Sequence, residues 1–331
     1  ETIEIKEGVT MISNDVFKTI TQLKTISIPS TVSSLQQDMF EVYTLIEQIN
    51  IDETNPNYKS INGVLYNKQV QTLIQYPVGN SATTFTLPTT VNSINEKAFK
   101  NCYKLESIQV ETGNESFISK EGVLFDKQKE TLIAYPINRQ SKRYYIPEGV
   151  KTTRKYSFFN SQTINEVIIP STIETIDDYT FKNCTNIYDI YYIKGSGLTT
   201  EGTGIFDGIT TFKIRVSKSI QSTIPTIKGK ETTSDLTVGV SGSTTRYMYS
   251  EEYKILTIYE EGNMTDYEET QSPWYSLNEG IETVMIESGI SKISESSFYE
   301  LTKLKKIEVN TSSTTYSSDN GHLFDKEKKV M

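Results

Sequence analysis

The stretch Gly63-Val-Leu-Tyr-Asn-Lys-Gln-Val-Gln-Thr-Leu-Ile-Gln-Tyr-Pro77 returns as Gly122-Val-Leu-Phe-Asp-Lys-Gln-Lys-Glu-Thr-Leu-Ile-Ala-Tyr-Pro136. It starts a third time as Gly321-His-Leu-Phe-Asp325. The offset of the first two copies is 122 − 63 = 59 residues, and Phe40, Phe99 and Phe158 are spaced by the same step. A second step is nested inside it: 40 − 17 = 23 between Phe17 and Phe40, and 181 − 158 = 23 between Phe158 and Phe181. Two nested periods mean that one supersecondary unit is stacked repeatedly, and such a stack works through its surface.

Alignment on the phenylalanines gives a consensus close to L-x-x-I-x-I-P-x-x-V-x-x-I-x-x-x-x-F. One copy runs Leu23, Ile26, Ile28-Pro29, Val32, Leu35 and Phe40. Another is Phe85, Leu87-Pro88, Val91, Ile94 and Phe99, and a third is Ile164, Val167, Ile169-Pro170, Ile173, Ile176 and Phe181. The first copy is Ile3, Ile5, Val9, Ile12 and Phe17. The I-x-I core has a period of two, which predicts a short strand with one buried face. Proline has no N–H for a further ladder bond and ends that strand. The polar residues before Phe (Asn14-Asp15, Glu96-Lys97, Asp177-Asp178) predict a short helical or 3₁₀ turn on the outer side. The 59-residue period divides into a 23-residue unit and a 36-residue one. In the longer unit a hairpin replaces the turn, with Val64-Leu65-Tyr66 and Thr72-Leu73-Ile74 flanking Asn67-Lys68, a good turn former.

The bulk properties agree with a stack of strands. Of 331 residues, 36% are hydrophobic and 21 are tyrosine, enough for a continuous core that favours strand over helix. A net charge of −9 argues against nucleic acid or an anionic membrane surface, which need clustered Lys and Arg. No apolar run approaches the length of a membrane span. The two cysteines, Cys102 and Cys184, follow the same Phe-Lys-Asn pattern three units apart. At roughly 4.8 Å per strand they stand about 14 Å apart, too far for a disulfide, and read as small buried hydrophobes.

The pattern closely resembles the BspA-like leucine-rich repeats, with their I-P-x-x-V-x-x-I-x-x-x-A-F-x-x-C motif. Ile28-Pro-Ser-Thr31, Ile169-Pro-Ser-Thr172 and Phe-Lys-Asn-Cys at 99–102 and 181–184 carry the resemblance. It implies a repeat solenoid whose curved β-sheet lines the concave face, with short helical turns and β-hairpins on the outer side. It also implies a cell-surface or secreted protein that adheres to a host extracellular-matrix or cell-surface protein. Glycan binding and a passive spacer are the competing readings.

After Ile193 the period fails, in segments rich in Gly and Thr. Leu236-Thr-Val-Gly-Val240 and Ile255-Leu-Thr-Ile258 then read as strands, and Phe298 − Phe99 = 199 marks a restart of the array in register. The expected organisation is a first array with its terminal cap at 1–232, a non-repeat β cap at 233–280 and a second array from 281 to 331. The chain begins and stops inside a repeat, so it reads as a fragment of a longer protein.

Catalytic and metal-binding patterns are weak. The one histidine, His322, holds a position filled elsewhere by Val64 and Val123, so Ser-His-Asp chemistry has a single candidate base. Asp177-Asp178 and Glu268-Glu269 read as solvated turns. Trp274 reads as core of the cap. The expectation is a non-enzymatic protein without cofactor or metal. Four N-x-S/T sequons, at Asn114, Asn183, Asn263 and Asn310, matter if the chain passes through a eukaryotic secretory pathway.

The register yields one site expectation. With the flanking residues turned inward, the middle residue of each strand faces out: Glu4, Ser27, Asn50, Thr86, Gln109, Tyr145, Ile168 and Tyr191. The last three are large, and Arg143, Glu166 and Asp189 precede them on the same face. These six residues are the expected binding patch, since exposed apolar patches with a polar rim mark interaction sites.

Overall fold

A computed structural model describes residues 1–13, 16, 20–36, 39–40 and 45–327. Asn14, Asp15 and Phe17 of the first repeat, and residues 328–331, lie outside them. The described chain forms two compact units, one of residues 1–190 and 198–212, the other of residues 191–197 and 213–331.

The first unit is built from two walls of short strands. In one wall Thr2–Glu4, Thr25–Ile28 and Gln48–Ile51 pair in parallel, with Ile3 opposite Ile26 and Ile26 opposite Ile49. Thr84–Leu87 pairs with Ser107–Val110, and Arg143–Tyr145 with Glu166–Ile169, in the same sense. Each strand is four residues or fewer, because Pro or a turn follows it. The other wall carries the hairpins and the second half of each short repeat. Val123–Asp126, Thr131–Ala134, Thr152–Thr153 and Thr175–Ile176 lie side by side there. The alternate apolar residues meet between the walls: Ile26, Ile49, Leu65, Leu73, Leu87, Ile108 and Leu124 are all at 0% exposure. Neighbouring repeats supply this burial to each other, as a stacked unit requires.

The hairpins form where the sequence places them, but with three strands. Tyr58–Ile61 pairs antiparallel with Val64–Asn67, which pairs with Thr72–Gln75. The added strand is joined by Asn62 and Gly63, both at positive φ (51° and 79°). This is the I′ geometry that Asn-Gly favours. Glu121-Gly122 and Asn320-Gly321 repeat it. Asn67 and Asp126 then close the second turn, each with its side-chain oxygen accepting two backbone N–H bonds.

The outer turns among the described residues are not helical. Among the described residues the one helical element is the 3₁₀ turn Tyr275–Leu277. In the segment before and after Phe158, Tyr156 and Asn160 stand at φ 61° and 59°, and Tyr179 and Asn183 repeat this one unit later. Left-handed residues every fourth position break a helix. The N–H groups donate across the stack instead: Tyr156 to Asp178 O, Phe158 to Thr180 O and Asn160 to Lys182 O, at 3.2, 3.0 and 3.0 Å. Tyr179, Phe181 and Asn183 donate in turn to Thr203, Ile205 and Asp207.

Phenylalanines at the centre of these turns form a ladder. Phe158 lies 4.9 Å from Phe181, which lies 6.1 Å from Phe206, centroid to centroid. The longer units join it through the tyrosine that ends their hairpin. Tyr135 stacks on Phe158 at 4.8 Å and Tyr76 packs on Phe99 at 6.2 Å. Both pairs are 23 residues apart (158 − 135 and 99 − 76). The Tyr-Pro of the hairpin therefore fills the place of the missing Phe turn.

The second unit centres on a sheet of Lys213–Ser217, Lys230–Val240, Arg246–Ser250, Ile255–Tyr259, Thr283–Ile286 and Lys306–Val309. Pairing is antiparallel through the middle strands and returns to parallel at Ile255–Tyr259 with Thr283–Ile286, where the repeat pattern restarts. Trp274 is wholly buried, its Nε1–H donating to Ser297 O at 2.7 Å, with Tyr247 and Tyr267 edge-on to its ring. Arg215 is also at 0% exposure. Its guanidinium donates to Asp235 Oδ2 at 2.6 Å, Glu252 Oε2 at 2.9 Å and Tyr253 OH at 2.8 Å. Hydrogen bonds from Arg215 and then Lys213 pull the Glu252 carboxyl down to about 2.

Candidate functional site

The outward row of the first unit begins as expected. Glu4, Asn50, Thr86 and Gln109 are exposed and Ser27 is half-buried, each between inward apolar neighbours. Parallel pairing places Ser27 opposite Glu4 and Asn50, and Gln109 opposite Thr86. The wall thus presents polar side chains one per strand.

The expected apolar patch is covered. Ile168 and Tyr191 are each 1% exposed, and Asp189 is 1% exposed. Period-two reasoning gives the face a residue points to, not what lies over that face, so these three are corrected from surface to interior. Tyr145, Arg143 and Glu166 remain half-buried.

Those residues join a polar cluster within the first unit. Arg143 and Glu166 stand opposite each other on paired strands. Arg143 Nε donates to Glu166 Oε2 at 2.6 Å, and an Nη–H of Arg143 meets the same oxygen. Arg143 Nη1 donates to Tyr145 OH at 3.5 Å. The other carboxylate oxygen, Oε1, accepts from Tyr188 OH at 2.7 Å. Tyr188 is 47% exposed. Its phenol is raised, first by desolvation and then by the hydrogen bond to Glu166. The hydroxyl thereby ties Tyr188 to an ion pair whose charges already satisfy each other. The cluster offers an aromatic face and a hydroxyl acceptor, the amphipathic kit common at interaction hot spots. A raised phenol is a poor nucleophile at neutral pH.

Tyr188 was not among the expected site residues. It lies just before the I-x-I dyad, where the repeat places a turn. The signal was the spacing of 188 − 166 = 22 residues, which sets it beside Glu166 on the next repeat.

Other chemistry-bearing residues are structural. Cys102 and Cys184 are free and buried. Burial raises both thiols, Cys184 to about 12, and Cys184 Sγ–H donates to Phe158 O at 3.0 Å. Reactive cysteines are instead exposed and of low pKa. His322 is exposed where Val64 and Val123 are buried. Among the described residues no group of three His, Cys, Asp or Glu side chains could hold a metal ion.

Asn114 is 1% exposed and acts as a clip. Its Nδ2 donates to Pro88 O and Val91 O at 2.9 Å each, and its Oδ1 accepts from Ser116 N and Phe117 N at 2.9 and 2.8 Å. Asn55 makes the same four bonds one period earlier. The sequon at Asn114 is therefore closed to glycosylation in the folded chain.

The profile of the BspA type leucine rich repeat region matches six copies in this sequence, over residues 1–120, 138–227 and 267–322. The chain belongs to this family. No catalytic family is indicated by the match. No curated protein matches the chain. Solved structures similar to this BspA-type chain include the pneumococcal vaccine antigen PcpA, at 15% identity and a TM-score of 0.40. That match covers 88% of this chain and 63% of PcpA, so the chain spans less than two thirds of PcpA's length. A leucine-rich repeat protein from Eubacterium ventriosum matches at 15% identity and a TM-score of 0.45, covering 95% of this chain and 80% of that one. A leucine rich cell surface protein from Faecalibacterium prausnitzii matches at 17% and 0.38, covering 94% and 88%. Among the described residues, no helix is long and apolar enough to cross a membrane.

Proposed function

We propose that this BspA-type repeat chain is a non-enzymatic recognition module, carried at a cell surface or secreted, that binds a host protein through the sheet face of its first unit. The supporting observation is the contrast within each strand. Inward positions are held to Ile, Val, Leu, Phe or, at 144, Tyr, while the outward residue between them changes from Glu4 to Ser27, Asn50, Thr86, Gln109 and Tyr145. Core packing fixes the first set, and the second is free to carry partner-specific chemistry. Tyr188, hydrogen-bonded to the Arg143–Glu166 pair, is the anchor of the face.

The test is surface-plasmon binding of the full chain to a panel of extracellular-matrix proteins, with a glycan array run in parallel. Tyr188→Ser should weaken the bound protein partner by at least about tenfold, the cost of a hot-spot aromatic. An equal affinity for wild type and Tyr188→Ser would overturn this site. Binding confined to the glycan array would replace the protein reading by the glycan one.

A further inference from the structure

One strand of the second unit outruns its neighbour. Lys213–Ser217 pairs in parallel with Lys230–Val240, and its last residue, Ser217, stands opposite Leu236. The residues beyond, Thr237-Val-Gly-Val240, pair with Arg246–Ser250 on one side only. Hydrogen bonds fix which groups face the other side. Glu251 N donates to Asp235 O at 2.9 Å, and Ser241 N donates to Thr245 O at 3.0 Å. Bonded and non-bonded pairs alternate along an antiparallel ladder. Thr237 opposite Tyr249 and Gly239 opposite Tyr247 are therefore bonded pairs. Val238 and Val240 turn their N–H and C=O groups to the open edge, where among the described residues no strand meets them.

The side chains are open at the same place. Val240 is 58% exposed and Val238 is half-buried. An unpaired edge is a template for another strand, and natural edges are blunted by charge or proline. Lys306–Val309, at the far end of the same sheet, carries Lys306 and Glu308. Residues 236–245 hold neither a charge nor a proline. Unpaired main chain, an uncovered valine and a missing guard thus coincide on one short edge.

We propose that this edge pairs with the same edge of a second copy of the chain. Antiparallel pairing about a twofold axis at Gly239 sets Val238 of each copy opposite Val240 of the other. An isologous contact of this kind closes as a dimer. Both pairs exchange main-chain N–H···O bonds, and the valines meet on one face, which covers Val240. The residue on the axis is glycine, so no side chain meets its symmetry mate there. The edge is uncharged, so the copies meet without the like-charge repulsion that a net charge of −9 imposes on the rest of the surface. A contact this small makes a weak dimer that dissociates on dilution.

Sedimentation of the full chain over a dilution series, up to about 1 mM, reads the association. A dimer at the high end and a monomer at the low end are expected. Added salt should strengthen the dimer, because it screens the net charge and breaks no ion pair in the contact. Val240→Lys places a charge at an exposed position and should weaken the dimer at least about tenfold. Val238→Pro removes an N–H that faces the open edge and none from the ladder to Arg246–Ser250, so it should weaken the dimer too. Trp274 fluorescence, from the same unit, should show an unchanged thermal midpoint for monomeric Val240→Lys. A chain that stays monomeric throughout the series overturns the proposal. So does a dimer that Val240→Lys leaves unchanged, which would place the contact on another surface.

Discussion

Asn114→Ala removes the clip that ties one repeat to the next. The side chain is 1% exposed and makes four hydrogen bonds, two to carbonyls of the preceding repeat and two from N–H groups of its own. All four backbone groups lose a partner together. At about 1 kcal/mol for each net bond the loss is about 4 kcal/mol, and stranded buried groups push it up rather than down. The chain itself contains a partial substitute. Ser313 stands 199 residues on (313 − 114) and accepts from Tyr316 N at 3.1 Å and Thr315 N at 3.4 Å. A serine therefore keeps the acceptor half and loses the donor half. Asn114→Ser should cost about 2 kcal/mol, half of the alanine value. The assay has to be local, because repeat arrays unfold in parts and the only tryptophan, Trp274, is in the other unit. Native-state hydrogen exchange over residues 83–120 reads the opening free energy of the affected repeats. If Asn114→Ala costs less than about 1 kcal/mol, the range of an ordinary surface change, the clip is not a structural element. A serine variant as damaged as alanine would refute the division into donor and acceptor halves.

Two further predictions follow the same logic of local geometry. Gly122 sits at φ 79°, and an added Cβ would lie 2.6 Å from Ser107 Oγ and 3.1 Å from its Cβ, so Gly122→Ala combines backbone strain with a clash. It should cost more than about 1 kcal/mol, read as faster exchange of the 117–134 hairpin, and unchanged exchange would remove the I′ turn from the account. In the second unit the Glu252 carboxyl is pulled down to about 2 by Arg215 and Lys213. A depressed carboxylate contributes stability that is present above its ordinary range and is lost as pH falls toward 2. Trp274 fluorescence should report that acid loss in wild type, and Glu252→Gln should flatten it between pH 5 and 2 (roughly the window between unfolded and folded values). An acid profile identical in the variant would assign the loss to other groups.

Much of the wall structure is legible in the sequence. Ile26, Ile28 and Ile49 alternate with polar residues, and pleat geometry turns that alternation into an inside and an outside. The hairpins are legible too, and the Asn62-Gly63 pair is a turn signal for the extra strand. The outer turns are not legible, because a polar pre-Phe segment looks helical in isolation. Their N–H groups bond to the next repeat, as Phe158 does to Thr180, and a single unit does not show that partner. The aromatic ladder is hidden in the sequence for a related reason. Tyr76 and Tyr135 seem to close hairpins, yet each lands on a phenylalanine one repeat away.

The expected binding patch shows the same boundary. Arg143 and Glu166 were placed side by side by register alone, and they pair. Ile168 and Tyr191 were placed on the outward face by the same register, and they are buried. Period decides the direction of a side chain, because that is a property of the local backbone. Burial depends on what else reaches that face, which comes from residues distant in the chain. The sequence by itself therefore determined the repeat, the family, the two walls and the row of variable outward residues. Tertiary structure decided which of those residues solvent can reach and how Tyr188 is tied to an ion pair. Each of these depends on contacts between repeats, and no period within one repeat encodes them.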